Sequence, residues 1–126
     1  MVKNKIAEVL DLLEKDFELS EWTQQLNLGK AHNFLLGEVE ELKSALAEKD
    51  MKNYSEELGD ILWLVLKLMK VAEKEGKLDR KKVLEGIKEK INSRKPFLAE
   101  GRLVSSDEEL RIWNEVKKNE SSGNHR

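Results

Sequence analysis

The stretch EELGDILWLVLKLM, residues 56–69, decides the fold. Leu58, Ile61, Leu62, Trp63, Leu64, Val65, Leu66, Leu68 and Met69 make it apolar almost all the way round at helical period. Such a helix is central, or is covered in part by another subunit. Asn53, with Glu56 three residues on, predicts its N-cap, and Gly76 after Glu75 predicts its end. Two acids are nevertheless set into it. Glu57 and Asp60 are three apart and therefore share a face. The run Ile61 to Leu66 is ended by Lys67 and is far too short to cross a bilayer.

The preceding segment repeats the spacing. In LLGEVEEL, residues 35–42, Glu38 and Glu41 are again three apart, within a helix expected from about Lys30 to Lys49. Leu35, Val39, Leu42 and Leu46 face the core, with Phe34, Glu38, Glu41 and Ala45 along one edge. A connection of a few residues makes the two helices antiparallel neighbours. At about 1.5 Å per residue, Glu41 and Asp60 lie roughly 10 Å either side of the turn, so the acidic pairs sit at similar heights. Partly buried carboxylates need a partner, a proton or a metal. With 25 acidic residues in 126, a solvated charged face is the alternative. The matched heights strengthen the metal reading beside that alternative, and the ion would be Mg²⁺ or Mn²⁺, which prefer carboxylate oxygens.

The rest of the chain also reads as helix. A first helix from about Lys3 to Phe17 carries Ile6, Val9, Leu10, Leu13 and Phe17; a polar stretch around Leu19 to Gly29 contains Trp22. Asp79 caps a helix to about Ser93, with Val83, Leu84, Ile87 and Ile91 inward, and Pro96 stops it. RKPFLAEGRLVS, residues 94–105, reads as an extended connection. Ser105 or Ser106 with Asp107, Glu108 and Glu109 opens a short last helix carrying Leu110, Ile112, Trp113 and Val116. Residues 1–118 thus form one all-α domain, a four-helix core with a short C-terminal helix, followed by a flexible tail at 119–126.

Composition narrows the function. Lys and Arg number 23 against 25 acids, and the net charge of −2 gives no support for a sequence-independent nucleic-acid binder, which would want a basic surface. The absence of cysteine excludes disulfides and thiolate metal sites. The N-terminus mixes charge into its apolar residues, unlike a signal peptide, so a cytoplasmic protein is expected. Lys90 and Arg94 share a helix face within KEKINSRKPF and suit phosphate oxygens, or else the helix dipole. Trp22, His32 and Asn33 suit a base or sugar, although such residues also pack and cap. Trp63 and Trp113 read as core or interface residues.

Together these residues resemble the all-α nucleoside triphosphate pyrophosphatases, the MazG-like proteins, whose pattern is EExxE on one helix and ExxD on the next. The second element is intact as Glu57-Leu58-Gly59-Asp60. In the first, Gly37 replaces the leading Glu while Glu38 and Glu41 stand at metal-binding positions. HNFLLGEVEEL looks like the dCTP-pyrophosphatase branch, and KINSRKPFL is similar to the family's basic phosphate-contacting helix end. The resemblance implies Mg²⁺-dependent cleavage of a (d)NTP between the α and β phosphates, serving nucleotide-pool sanitation. Glu38, Glu41, Glu57 and Asp60 would hold metal, Glu41 or Glu38 would take a proton from water, and Lys90 and Arg94 would steady phosphates. It also implies a homodimer or homotetramer. Phosphoribosyl-ATP pyrophosphohydrolase and a non-catalytic helical interaction protein are the rival readings.

Overall fold

A computed structural model describes residues 1–123, and all its regular elements are helical: α1 (Val2–Leu19), α2 (Glu21–Gln24), α3 (Leu28–Ala47), α4 (Met51–Lys74), α5 (Arg80–Arg94), α6 (Phe97–Glu100) and α7 (Ser106–Gly123). The chain divides into two compact units, Met1–Arg80 and Lys81–Arg126.

In the first unit α3 and α4 form an antiparallel hairpin whose turn closes on itself. Lys49 adopts a left-handed conformation, φ +58°. Its N–H donates to the Leu46 carbonyl at 3.1 Å, and the Asp50 N–H donates to the Ala45 carbonyl at 3.0 Å. These are the paired bonds of a Schellman ending. Asp50 then caps α4, its carboxylate accepting from the Asn53 N–H at 3.2 Å. The N-cap is therefore Asp50 rather than Asn53, because the preceding left-handed residue brings the chain straight into the next helix. Gly76, φ +74°, ends α4 in the same manner, as expected for that residue. A side chain at Lys49 is disfavoured in this conformation. Lys49→Gly is therefore expected to stabilise the unit by about 1 kcal/mol, read as a raised denaturation midpoint.

The stretch after α1 is more ordered than a polar connection. Ser20 accepts from the Thr23 N–H at 3.1 Å and caps the single turn of α2, and Asn27 accepts from the Lys30 N–H at 2.9 Å. The latter bond starts α3 at Leu28, ahead of Lys30. The core lies at this end, where Leu26, Ala31 and Val71 are buried with Phe17, Leu28 and Leu68 packed against them. Leu13 is the buried member of the α1 stripe, whereas Ile6 and Leu10 are exposed. On α4, Leu58, Leu62 and Val65 are likewise exposed and share one face.

In the second unit Val83, Leu84 and Ile87 are exposed rather than inward, and none of α5 is buried. The helical spacing is present, but spacing alone does not place these residues against a neighbour. The expected extended connection contains α6, closed by Arg102 N–H to the Phe97 carbonyl at 3.0 Å, with Phe97 buried. Ser105, not Ser106, accepts from the Glu108 N–H at 3.1 Å. The last helix is long. It continues through Gly123, past the Asn119 at which a tail was expected; residues 124–126 lie outside the described part.

Candidate metal centre

The α3–α4 hairpin brings Glu38, Glu41 and Glu57 together, each with one carboxylate oxygen within 4.8 Å of the others. The acids meet because 38 and 41 fall on the α3 face that also presents the fully buried Ala45. Small Ala45 and Ala31 leave room for α4 to approach. Glu57 is buried, Glu38 half-buried and Glu41 exposed, so the group opens to solvent at one side. Asp60 is one turn further along the Glu57 face but exposed and outside this close group.

The electrostatics are unbalanced. The Glu38 carboxylate beside Glu57, burial, and the nearby Glu41 charge push the Glu57 carboxyl up to about 7, from an ordinary 4.5. One oxygen of Glu38 and one of Glu57 are buried with no hydrogen-bond partner among the described residues. Buried carboxylate oxygens left unpaired in a native fold call for a proton or a cation. An all-oxygen donor set of this charge fits a hard divalent ion such as Mg²⁺ or Mn²⁺ and does not suit a soft metal.

The other sequence-predicted site residues divide. Trp22 is 55% exposed and rests against Phe34, ring centroids 5.6 Å apart and tilted by 47°. Phe34 is one turn before Glu38 on α3, so the aromatic pair and the acids share a face. His32 lies about 160° round α3 from Phe34, and Asn33 about 100° round it. The helix therefore does not bring His32 and Asn33 into the group formed by Trp22, Phe34 and the acids. Lys90 and Arg94 belong to the second unit. Lys90 is exposed. Arg94 is engaged within its own unit, donating to Glu120 at 3.1 Å and stacking on Trp113 at 4.9 Å.

Sequence reasoning missed Lys67. It is buried on α4, donating to Asp16 at 2.9 Å and to the Thr23 hydroxyl at 3.1 Å, while that hydroxyl donates to Asp16 at 3.0 Å. Its ammonium lies 5.1 Å from the Trp22 ring centre and 5.6 Å from that of Trp63. The available signal was spacing: 57, 60, 64 and 67 trace one face of α4.

Fold and site thus define an all-α protein with a carboxylate centre suited to a divalent ion. Residues 28–99 match the family model of the MazG nucleotide pyrophosphohydrolase domain, and the chain belongs to that family. It is similar to a nucleoside triphosphate pyrophosphohydrolase of Escherichia coli K12, 28% identical over 100 residues, covering 79% of this chain and 38% of that protein. A protein of the same description from Mycolicibacterium smegmatis is 27% identical over 118 residues, covering 92% of this chain and 36% of the relative. The chain therefore spans well under half the length of these relatives. The crystal structure of a mazG-related protein from Thermotoga maritima superposes with a TM-score of 0.83 at 28% identity, covering 89% of this chain and 98% of that one. The MazG-like all-α fold expected from the sequence is borne out. Among the described residues no helix is long and apolar enough to cross a membrane.

Proposed function

We propose that the protein is a Mg²⁺-dependent nucleoside triphosphate pyrophosphohydrolase, cleaving a (d)NTP between the α and β phosphates to (d)NMP and pyrophosphate. The observation that carries this reading is the convergence of Glu38, Glu41 and Glu57, with two buried oxygens unpartnered, at the acidic positions of the MazG pattern. Glu38, Glu41 and Glu57 would hold the ion, and Asp60 would join them by turning its exposed carboxylate inward. When bound, Mg²⁺, or Mn²⁺ in its place, supplies positive charge against the phosphate oxygens and acidifies a water.

The chain's own residues do the rest. Glu57 and Glu38 are fixed by burial and hold their oxygens convergent before substrate arrives. Glu41, on the open side, accepts a proton from the attacking water as its oxygen bonds to phosphorus and the bridging oxygen departs with pyrophosphate. Trp22 and Phe34 offer an aromatic surface to the base. Phosphate contacts by Lys90 and Arg94 rest on the family resemblance. The exposed stripe of Leu58, Leu62 and Val65 supports a homodimer or homotetramer, since large exposed apolar faces are covered in assemblies. The role we assign to such an activity is nucleotide-pool sanitation, in the cytoplasm.

A (d)NTP panel, including modified bases and assayed for pyrophosphate, tests the reading. Mg²⁺-dependent pyrophosphate release from at least one member is expected, and EDTA abolishes it. Orthophosphate as the primary product, or no turnover of any member, overturns it. Phosphoribosyl-ATP in the same panel separates the related activity.

A further inference from the structure

Lys67 is the buried cation of the first unit, and its surroundings are specific. It is 6% exposed, one of three buried polar or charged residues among those described, with Thr23 and Glu57. An ammonium in such a place is retained only when its hydrogen bonds and charge are satisfied. Asp16 supplies the charge and Thr23 the second acceptor. Thr23 is itself held at both ends, its N–H by Ser20 and its hydroxyl by Asp16. This ties the one-turn helix α2 to α1 and α4. The residue before Thr23 is Trp22, and the Lys67 ammonium sits against the ring that this short helix displays. On its other side is Trp63, three residues beyond Asp60.

A single turn of helix has little rigidity of its own, and a Trp that is 55% exposed has no core to fix its rotamer. Here Phe34 limits the ring on one side and the ammonium attracts it electrostatically on another. Phe34 is four residues before Glu38, about 6 Å along α3. Phe34, against which the Trp22 ring rests, is thus about one helical turn from Glu38, and puts an aromatic surface on the α3 face that carries the acids.

We propose that Lys67, held by Asp16 and Thr23, is a positioning residue for the nucleobase: it fixes Trp22 as a stacking surface and so sets affinity for the base end of the substrate without touching the phosphates. This rests on the metal-centre reading above and goes beyond it in assigning the Asp16–Thr23–Lys67 group to substrate discrimination.

The test compares ligands with and without a base. Binding of α,β-methylene-dATP, α,β-methylene-dCTP and inorganic tripolyphosphate, each with Mg²⁺, is measured by calorimetry on wild type, Lys67→Met, Thr23→Val and Trp22→Ala, alongside KM and kcat. Lys67→Met is expected to weaken the tighter nucleotide analogue about tenfold, the scale of one base–aromatic stack, and to leave tripolyphosphate within about twofold. KM should rise with kcat nearly unchanged. The double variant with Trp22→Ala should lose no more than Trp22→Ala alone, because both act on one contact. Thr23→Val should shift the same way by about threefold and carries the test if Lys67→Met does not fold. Equal weakening of nucleotide and tripolyphosphate overturns the proposal, as does no change in either. If wild type binds tripolyphosphate but neither analogue, the base surface and Lys67's role fall while the metal centre stands. If it binds none of the three, the metal-centre reading falls as well.

Discussion

Glu57→Gln is expected to abolish metal-dependent turnover, by more than about 100-fold, while making the metal-free protein more resistant to heat at pH 8. The two effects share one origin. In the fold the Glu57 carboxyl is pushed up to about 7 by Glu38, burial and Glu41; its ordinary value is 4.5. Between those values the folded protein holds a proton that the unfolded chain has released. Stability contributed by Glu57 is therefore greatest below about pH 4.5 and declines as pH rises to about 7, beyond which the loss is complete. Glutamine cannot ionise and escapes that loss. Melting curves in EDTA from pH 5 to pH 8 should show the variant gaining on wild type as pH rises. Mg²⁺ should raise the wild-type midpoint more at pH 8 than at pH 5, because it binds the ionised carboxylates, and should scarcely move the variant. Parallel melting profiles for the two proteins would sink the assignment of strain to this group. A variant that keeps wild-type turnover would sink the metal role itself.

The convergence of Glu38, Glu41 and Glu57 shows how far helical spacing carries. Glu38, Glu41 and Glu57 were legible because helical spacing and a short turn leave them few other places to go. Asp60 has the same spacing but one turn of drift leaves it exposed, and periodicity does not resolve a difference of that size. The sequence pointed to Asn53 as the cap of α4 and not to Asp50. The cap falls at Asp50 because Lys49 enters the left-handed region, which a non-glycine residue gives no reason to expect. The apolar rows on α4 and α5 do not tell from spacing whether they are packed or exposed. Leu62 at 50% and Ile87 at 50% exposure carry the same pattern as residues that are fully packed. Lys67 read as the end of an apolar run. Its significance depends on Asp16 and Thr23, far away in sequence, and no local pattern links them.

Asp16→Ala is expected to destabilise the protein by about 3 kcal/mol, and Lys67→Met by much less. The asymmetry follows from who is left behind. Without Asp16 the Lys67 ammonium, with its side chain 8% exposed, keeps only the Thr23 hydroxyl and two ring faces. A buried charge without its counter-charge retains most of its desolvation penalty. Without Lys67, Asp16 is 24% exposed, still accepts from the Thr23 hydroxyl, and can be hydrated. Methionine meanwhile fills the volume of the lysine stem beside Trp22 and Trp63. Denaturant titration should therefore place Asp16→Ala well below Lys67→Met, with a loss of about 12 °C in melting temperature for the former. The double variant should recover most of the loss, since the unpaired charge is gone. If Asp16→Ala and Lys67→Met cost the same small amount, the pair is a solvated contact and Trp22 is not held from beneath. If the double variant is as unstable as Asp16→Ala, the loss comes from the link between α1 and α2 rather than from the stranded charge.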